Sequence, residues 1–462
     1  MPIRLPRGIR LRPGGARDAH GQPVAAVGQP VAGVGNWRSG GRRADHGRLM
    51  RSDHEAASPA TDDTPEQAVF RARVRAWFDE NATPRADDDL WEVTGFVSPD
   101  RAGTEFEEGR RWQRRLHEAG WAGIAWPAEY GGGGGEPWMA RIVNEVARDY
   151  RESSGFIAST IAMLGPTLLR HGTEEQKRHF LPRLLSAEYT FCQLFSEPGA
   201  GSDLAALATR AVRDGDEFVV DGQKVWNSAA QFCDWGFLLV RTNPDVPKHR
   251  GITFLLVDMS TPGIEVRPLV QMTGSAHFNE VFLSGVRIPV ANVVGEIDGG
   301  WGPARTVLAN ESAFIGRGTR PTSTRLVELA RLHRRERDPL VRAGIVDLWT
   351  RERLQTLMGE TIQNAVRAGK PPPIDGALIK LYAAESKRRA GDLAVGIMGA
   401  AATAGDTDPA RWARAELYGR FSISIGGGTN EVQRNNLAER ALGLPREPRV
   451  DKDIPWREVP RS

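Results

Sequence analysis

The stretch Gln193-Leu-Phe-Ser-Glu-Pro-Gly-Ala-Gly-Ser-Asp203 decides how this chain of 462 residues is interpreted. Its core, Gly199 to Ser202, consists of small residues whose backbone N–H groups can surround a phosphate or the flat edge of a cofactor. Taken alone, a glycine-rich turn is also typical of a plain loop. The segments on either side must therefore indicate which interpretation applies.

Short runs of strand-forming residues surround this turn and predict a middle, largely antiparallel β domain over residues 189–296. Asp221-Gly222 lies between two arms of this pattern and has the composition of a tight hairpin turn. The runs have the length and spacing of strands and cover residues 217–226, 236–241, 252–258, 264–269 and 281–288.

Helical patterns flank the β domain on both sides. Residues 61–188 predict an N-terminal α-helical domain, in which Val69, Val74 and Phe78 recur at helical spacing. Residues 297–448 return to the helical period and predict a C-terminal four-helix bundle. The predicted fold class is therefore α+β multidomain, in the order helical, β, helical.

The two ends of the chain are predicted to be tails, over residues 1–60 and 449–462. Residues 1–49 contain nine Arg and two Asp among many Gly and Pro. Such a composition buries too little apolar surface to offset its ordering entropy, so we expect disorder, or translation that begins at Met50. Because the excess positive charge lies in this segment, the remainder is mildly acidic, which argues against a nucleic-acid-binding function.

Cysteine usage and hydropathy indicate which metal content, cellular location and membrane association to expect. Cys192 and Cys233 are too few for a disulfide framework and lack the spacing of metal ligands, so we expect no metal and a reducing, cytoplasmic location. The longest apolar stretch, residues 156–169, is shorter than the roughly 20 residues that a membrane helix needs. We therefore expect no membrane span.

Further motifs follow the opening stretch in a fixed order. They are Lys224-Val-Trp226 with Ser228, Gly300-Trp301, and Gly426-Gly-Gly-Thr-Asn-Glu-Val-Gln-Arg434. Together these motifs resemble the acyl-CoA dehydrogenase family, and the resemblance extends over most of the chain. It implies FAD between the β domain and the C-terminal helices, an acyl-CoA substrate, and an electron-transfer flavoprotein as acceptor.

The resemblance also implies a role for individual side chains. Ser196 would bond the flavin ring, Trp226 would pack against it, and Ser228 would offer a hydroxyl to its N5 and O4 edge; without the flanking motif, Trp226 would be an ordinary core aromatic. Ser202 would contact the thioester arm of the substrate or the cofactor phosphate. The full cofactor-binding set is Gln193, Phe195, Ser196, Gly201, Ser202, Trp226, Ser228, Thr429 and Glu431.

The family reaction removes the α proton of an acyl thioester while the β hydrogen leaves as hydride to flavin N5, which gives a trans-2-enoyl-CoA. Many relatives carry the base at the position of Gly427, which has no side chain. Other relatives supply a Glu from the first long C-terminal helix, where Glu311 stands. We expect Glu311 to be the general base and the Gly427 N–H to bind the thioester carbonyl.

Helical geometry supports a special role for Glu311. At 100° per residue it projects between Ala304 and Val307 and continues an apolar stripe. An acid on a buried face is costly unless it is paired or functional, and desolvation raises its pKa toward a useful range. The alternative is a Glu that pairs with Arg305 or Arg317 in the core.

Two segments depart from the family pattern. Residues 332–339 lack the Arg-x-x-Phe-Gly sequence whose Arg reaches the FAD of a neighbouring subunit, and a Gln before a Gly-Gly turn is replaced near residues 396–400. Such losses resemble heteromeric actinobacterial enzymes of steroid side-chain breakdown. We expect a homo-oligomer (dimer or tetramer) or a heteromer with a second acyl-CoA dehydrogenase subunit. The open alternatives are a same-fold flavin oxidase or monooxygenase, a catalytically silent partner subunit, and a nucleic-acid-binding relative.

Overall fold

The computed structural model describes residues 63–93, 99–315, 321–368, 370, 374, 376–448, 451 and 453–460. The predicted basic tail, residues 1–60, lies outside the described residues. Three successive layers of secondary structure follow from residue 63 onward, helical, β and helical. The predicted fold class is therefore confirmed.

The N-terminal layer is helical. Its first helix begins at Pro65, with the Thr64 hydroxyl accepting a hydrogen bond from the Gln67 N–H at 3.3 Å. That helix buries Phe70, Val74 and Phe78, so Val74 and Phe78 lie on the buried face as predicted. Val69 is 73% exposed, and Phe70 takes the buried position instead. The helices are α1 (Pro65–Asn81), α2 (Pro99–Glu118), α3 (Pro137–Ala147), α4 (Gly155–His171) and α5 (Glu174–Leu185).

The middle layer is a seven-stranded, largely antiparallel sheet in the order β1-β4-β2-β3-β7-β6, with β5 paired to β4. Only the β1–β4 and β2–β4 pairs are parallel among the described strands. The strands are β1 (Phe191–Leu194), β2 (Arg210–Asp214), β3 (Glu217–Ser228), β4 (Trp235–Arg241), β5 (Ile252–Asp258), β6 (Ile264–Leu269) and β7 (Phe278–Pro289).

Asp221-Gly222 does not form the predicted hairpin turn. The two residues lie inside β3, where the pairing with β7 shifts register between Val220 and Gly222. A Cβ at Gly222 would lie 2.7 Å from the Thr209 Cα, so the glycine permits a close approach of two backbones. The turn that joins β2 to β3 contains Gly215, whose φ is +63°.

The C-terminal layer is helical again. Leu326, Leu329, Leu348, Ala394 and Trp412 contribute to one core that joins four of its helices, α7, α8, α9 and α11. The helices are α6 (Trp301–Ile315), α7 (Thr322–Leu332), α8 (Pro339–Arg367), α9 (Gly376–Met398), α10 (Ala400–Ala404), α11 (Asp408–Ile425) and α12 (Asn430–Asn436). No helix among the described residues is both long and apolar enough to cross a membrane.

Helix α6 joins the three layers. It packs against α4 of the N-terminal layer, β5 of the sheet and α9 of the bundle. Its buried residues Ala304 and Val307 belong to the same core as Leu164 and Leu168 of α4 and Phe254 of β5. A side chain on this face of α6 therefore lies where the three layers meet.

Candidate active site

Glu311 lies on the inner side of α6, one turn beyond Val307. Ala304 and Val307 are fully buried, and Leu308 packs against the same core, so the apolar stripe expected from the sequence is present. Glu311 itself is partly buried, whereas Arg305 is exposed. Arg317 lies outside the described residues.

The Glu311 carboxylate is held by neutral donors. The Gln193 Nε2 donates to its Oε2 at 3.4 Å, and the Gly427 backbone donates a second hydrogen bond. Burial raises the pKa of this carboxyl above its usual range, and the two hydrogen bonds only partly oppose that effect. Within the described part of the chain, no ion pair to Glu311 is seen, which removes Arg305 as a partner.

The turn that carries Gly427 is fixed from two directions. The φ values of Gly427 and Gly428 are +66° and +84°, a conformation that glycine adopts without the cost of a Cβ. Gln433 Nε2 donates to the Gly427 carbonyl at 2.8 Å, and Lys380 Nζ donates to the Gly428 carbonyl at 2.5 Å. These bonds hold the turn whose Gly427 N–H bonds Glu311, and the sequence analysis gave no role to Lys380 or Gln433.

The segment of residues 193–203 begins in β1 and continues into a turn. In this turn, Glu197 and Ala200 exchange backbone hydrogen bonds at 3.0 Å. A buried ion pair anchors this turn, because Lys224 Nζ lies 2.7 Å from Glu197 Oε1 and donates to the Phe195 carbonyl at 3.1 Å. The other Glu197 oxygen accepts the Ala208 N–H at 2.6 Å.

Glu197 and Lys224 carry opposite charges in the core. Burial by itself would raise the pKa of Glu197, but the Lys224 ammonium and the N–H donors together lower it. Burial lowers the pKa of Lys224, and the Glu197 carboxylate partly opposes that shift. Both residues lie within motifs that the sequence singled out. Their contact is long-range, however, and no local pattern could have revealed it.

Trp226 has an unusual local geometry. It lies at a bulge of β3, where the pairing with β7 shifts between Val225 and Asn227, and its φ is +64°. A left-handed conformation at a bulky residue is strained, and such strain is concentrated at functional positions. The indole is 58% exposed and contacts Phe278 edge to face at 5.7 Å. It is therefore a solvent-facing platform rather than a core aromatic.

Several other predicted residues lie near this platform. Ser228 ends β3 opposite Phe278, and the Ser196 carbonyl accepts the Val225 N–H at 2.9 Å. Gly201 and Ser202 are exposed in the glycine turn. The Phe195 ring instead packs in the core between Phe237 and Phe254, at 5.8 and 6.0 Å, so only its backbone faces the anchoring lysine.

Thr429 and Glu431 lie on a different element, the N terminus of α12. The Thr429 hydroxyl caps that helix by accepting the Val432 N–H at 3.2 Å. Glu431 is exposed and pairs with Arg434 of the next turn at 3.1 Å. The contacts seen for these two side chains among the described residues are thus local, and their assignment to a cofactor stays a prediction.

His277 precedes β7 and was not identified from the sequence. Its ring stacks on Phe156 of α4, with centroids 5.3 Å apart, and its Nδ1 lies 2.7 Å from the Ser275 Oγ. Burial lowers the pKa of His277 to about 4, so the ring is neutral at physiological pH. Phe278, the next residue, carries the edge contact to Trp226.

These residues fit a flat, phosphate-bearing cofactor. The exposed indole of Trp226 offers a face for a ring system, and Cβ atoms added at Gly199 or Gly201 would meet no atom within 4 Å, so the turn opens onto free space. No group of three or more metal-ligating side chains is found among the described residues.

Comparisons with known proteins identify the family of the chain. Sequence models of the N-terminal, middle and C-terminal domains of acyl-CoA dehydrogenases match residues 64–188, 192–286 and 298–442. The acyl-CoA dehydrogenase IpdE1 of Mycobacterium tuberculosis is 39% identical, over 82% of this chain and 98% of that protein.

Two solved structures are also similar to this chain. The Tcur3481-Tcur3483 steroid ACAD is 32% identical, with a TM-score of 0.67 over 83% of this chain and 99% of that one. The ChsE4-ChsE5 complex from Mycobacterium tuberculosis is 31% identical, with a TM-score of 0.65 over 84% of this chain and 100% of that one. The chain belongs to the acyl-CoA dehydrogenase family of flavin-dependent oxidoreductases.

Proposed function

We propose that this protein catalyses the FAD-dependent α,β-dehydrogenation of an acyl-CoA thioester to a trans-2-enoyl-CoA, with Glu311 as the general base. The observation that carries the proposal is the Glu311 carboxylate, which is partly buried, held by neutral donors and raised in pKa. A base of this kind abstracts a weakly acidic proton more readily than a solvated carboxylate does.

Glu311 and Gly427 would have separate roles in the reaction. The carboxylate accepts the α proton of the thioester. The electron pair of the broken C–H bond is shared with the carbonyl as negative charge develops, and it forms the α,β double bond as the hydride leaves the β carbon. An N–H at Gly427 stabilises the negative charge that develops on the carbonyl oxygen. When bound, the flavin supplies the acceptor for the hydride that leaves the β carbon.

The Gly427 N–H donates a hydrogen bond to the Glu311 carboxylate. If the thioester oxygen takes over this donor, the carboxylate loses one of the bonds that lower its pKa. Substrate binding would therefore raise the pKa of Glu311 further and make it a stronger base. Activity is expected to be lost at low pH, as Glu311 becomes protonated.

The proposed substrate class, partner subunit and cofactor contacts rest on the relatives. Solved neighbours include a steroid ACAD and the ChsE4-ChsE5 complex, which supports a bulky acyl-CoA substrate and a second, related subunit. Ser196, Ser202, Trp226 and Ser228 would hold FAD and substrate on one side, and Thr429 and Glu431 on the other. An electron-transfer flavoprotein would reoxidise the flavin.

The test is anaerobic bleaching of the flavin absorbance by a panel of straight-chain, branched and steroid-derived acyl-CoA esters. Glu311→Gln should slow bleaching by about 10²- to 10⁴-fold while the flavin stays bound. Glu328→Gln, on α7, is the matched control and should bleach at the wild-type rate. Bleaching by Glu311→Gln within a fewfold of wild type would refute the assignment of the base.

The nearest rival function is a flavin oxidase on the same fold. It predicts oxygen consumption with acyl-CoA and no added acceptor. A dehydrogenase instead requires an electron-transfer flavoprotein for turnover, so measuring both rates separates the two functions.

A further inference from the structure

The C-terminal residues Asp451 and 453–460, here called the C-terminal strap, return to the β layer. The backbone N–H groups of Trp456 and Arg457 donate to the carbonyls of Val246 and Pro244, at 2.9 and 3.1 Å. The Trp456 indole N–H donates to the Ala206 carbonyl at 3.2 Å. A segment that the sequence presents as a tail is thus tied to two loops of the sheet.

One of those loops continues the glycine turn. Asp203 follows Ser202 directly, and the next residues form a short turn, Leu204–Ala206. Leu204 and Leu207 are buried in the core, whereas Gly199, Gly201 and Ser202 face solvent. The loop therefore has one fixed end and one open end, and the strap contacts the fixed end.

Lys248 links the strap to this loop. Its ammonium lies 2.7 Å from Asp203 Oδ2 and also bonds the Asp451 carboxylate of the strap. The Lys248 and Asp451 side chains are 11% and 23% exposed, so this pair is better shielded from solvent than an ordinary surface pair, whereas Asp203 is 53% exposed. The Lys248 ammonium thus joins Asp203, the last residue of the glycine turn, to Asp451 of the C-terminal strap.

Arg241, at the end of β4, completes the connection. Its guanidinium donates to the carbonyls of Lys248 and Ala205, both at 2.6 Å. It also lies over the Trp456 ring, 4.8 Å from the centroid. Through Arg241 and Lys248, the strap and the fixed end of the loop form one hydrogen-bonded unit.

We propose that the C-terminal strap, acting through Lys248, is a positioning element that holds the Gly199–Asp203 turn ready for the pyrophosphate of its ligand. The ligand is a pyrophosphate-bearing nucleotide, either FAD or coenzyme A. The inference rests on the proposed function, because that function places these ligands at this turn. Preorganisation of the turn lowers the ordering cost that binding would otherwise pay.

Asp451→Asn, in the full-length protein, tests the proposal. The change keeps the size of the side chain and removes one charge from the Lys248 pair. Hydrogen exchange of the amides of residues 199–207 should become faster, and the Kd should rise about fivefold for FAD, for coenzyme A or for both. Riboflavin, which has no pyrophosphate, should bind each variant equally well.

Asp453→Asn is the matched control, since it removes the same charge from an exposed position of the same strap. It should leave both hydrogen exchange and ligand affinity unchanged. Trp456→Leu provides a second, uncharged perturbation and should act in the same direction as Asp451→Asn. FAD and coenzyme A are titrated separately into flavin-depleted protein, so the two sources of pyrophosphate are distinguished.

Two results would overturn the proposal. One is ligand affinity within twofold of wild type in both Asp451→Asn and Trp456→Leu, even if exchange in the loop is faster. The other is an equal loss of affinity for riboflavin and for the pyrophosphate ligands. Neither readout depends on turnover, so failure of the strap and failure of the proposed dehydrogenation remain distinguishable.

Discussion

The Gly427 backbone bonds the Glu311 carboxylate, so the two residues are neighbours. A carboxylate at either position is therefore expected to reach the same α proton of the substrate. Glu311→Gly should abolish bleaching of the flavin by acyl-CoA. Adding Gly427→Glu should restore part of the rate, reduced by the roughly 1–2 kcal/mol that a side chain costs at a φ of +66°. The measurement is the single-turnover rate of both variants.

The control for this relocation is Gly427→Gln in the same Glu311→Gly background. It introduces a side chain of equal size that cannot act as a base, so it should restore nothing. Equal recovery by Gln and Glu would show that the rate comes from filling space rather than from proton transfer.

The buried His277 ring predicts that the stability of the fold depends on pH. Its folded pKa of about 4 lies below the ordinary histidine value of 6.5, so the unfolded chain binds a proton that the folded chain does not bind between these values. Stability is therefore present above pH 6.5 and is lost as the pH falls toward 4, by about 3 kcal/mol from this group. His277→Phe, which keeps a ring against Phe156, should lose less stability over that range.

The measurement is urea unfolding of wild type and His277→Phe at several pH values from 7 to 4. His333→Phe, on a surface turn, is the control and should follow the wild-type curve. If the difference between wild type and His277→Phe does not change with pH, the neutral buried ring is the wrong description.

At the scale of the secondary-structure elements, the Lys224–Glu197 pair fixes β3 to the end of β1. Lys224→Met leaves Glu197 buried without its partner and should cost about 3–5 kcal/mol. The double variant Lys224→Met/Glu197→Gln should recover a large part of this loss, because no unpaired charge remains. Urea unfolding followed by circular dichroism measures both values.

A surface pair on the same sheet supplies the comparison. Arg287 and Glu217 lie 2.6 Å apart but are 49% and 39% exposed. Arg287→Met should therefore cost no more than about 1 kcal/mol. Similar losses for Arg287→Met and Lys224→Met would mean that burial does not set the strength of these pairs.

The sequence predicted those elements whose pattern is local. Helical period and strand-like runs identified the three layers, and the stripe through Ala304 and Val307 identified the face that carries Glu311. The hairpin turn predicted at Asp221-Gly222 is wrong, because a bulge inside a long strand and a hairpin turn can have the same composition. The contact of Gly427 with Glu311 joins residues more than 100 positions apart, and only the family motif, not periodicity, suggested that both matter.

At the scale of the whole molecule, one face of α8 is left exposed by the residues that the structure describes. Val346 and Trp349 are 60% and 59% exposed, and Leu357, two turns further along the same face, is 40% exposed. On α11, Phe421 and Ile425 are 47% and 64% exposed. Exposed apolar side chains that share one helix face are typical of protein–protein interfaces, so we expect a second chain, identical or related, to cover the face of α8.

Trp349→Glu places a charge in the middle of this face and should dissociate the assembly. Because a central Trp contributes about 2 kcal/mol or more to an interface, the Kd between chains should rise about 30-fold or more. Sedimentation velocity at micromolar protein, alone and with a related subunit, measures the change. Val69→Glu, at an isolated exposed position on α1, should sediment as wild type does. If Trp349→Glu also sediments as wild type does, the chain assembles through another surface, and the exposed face of α8 must have a different role.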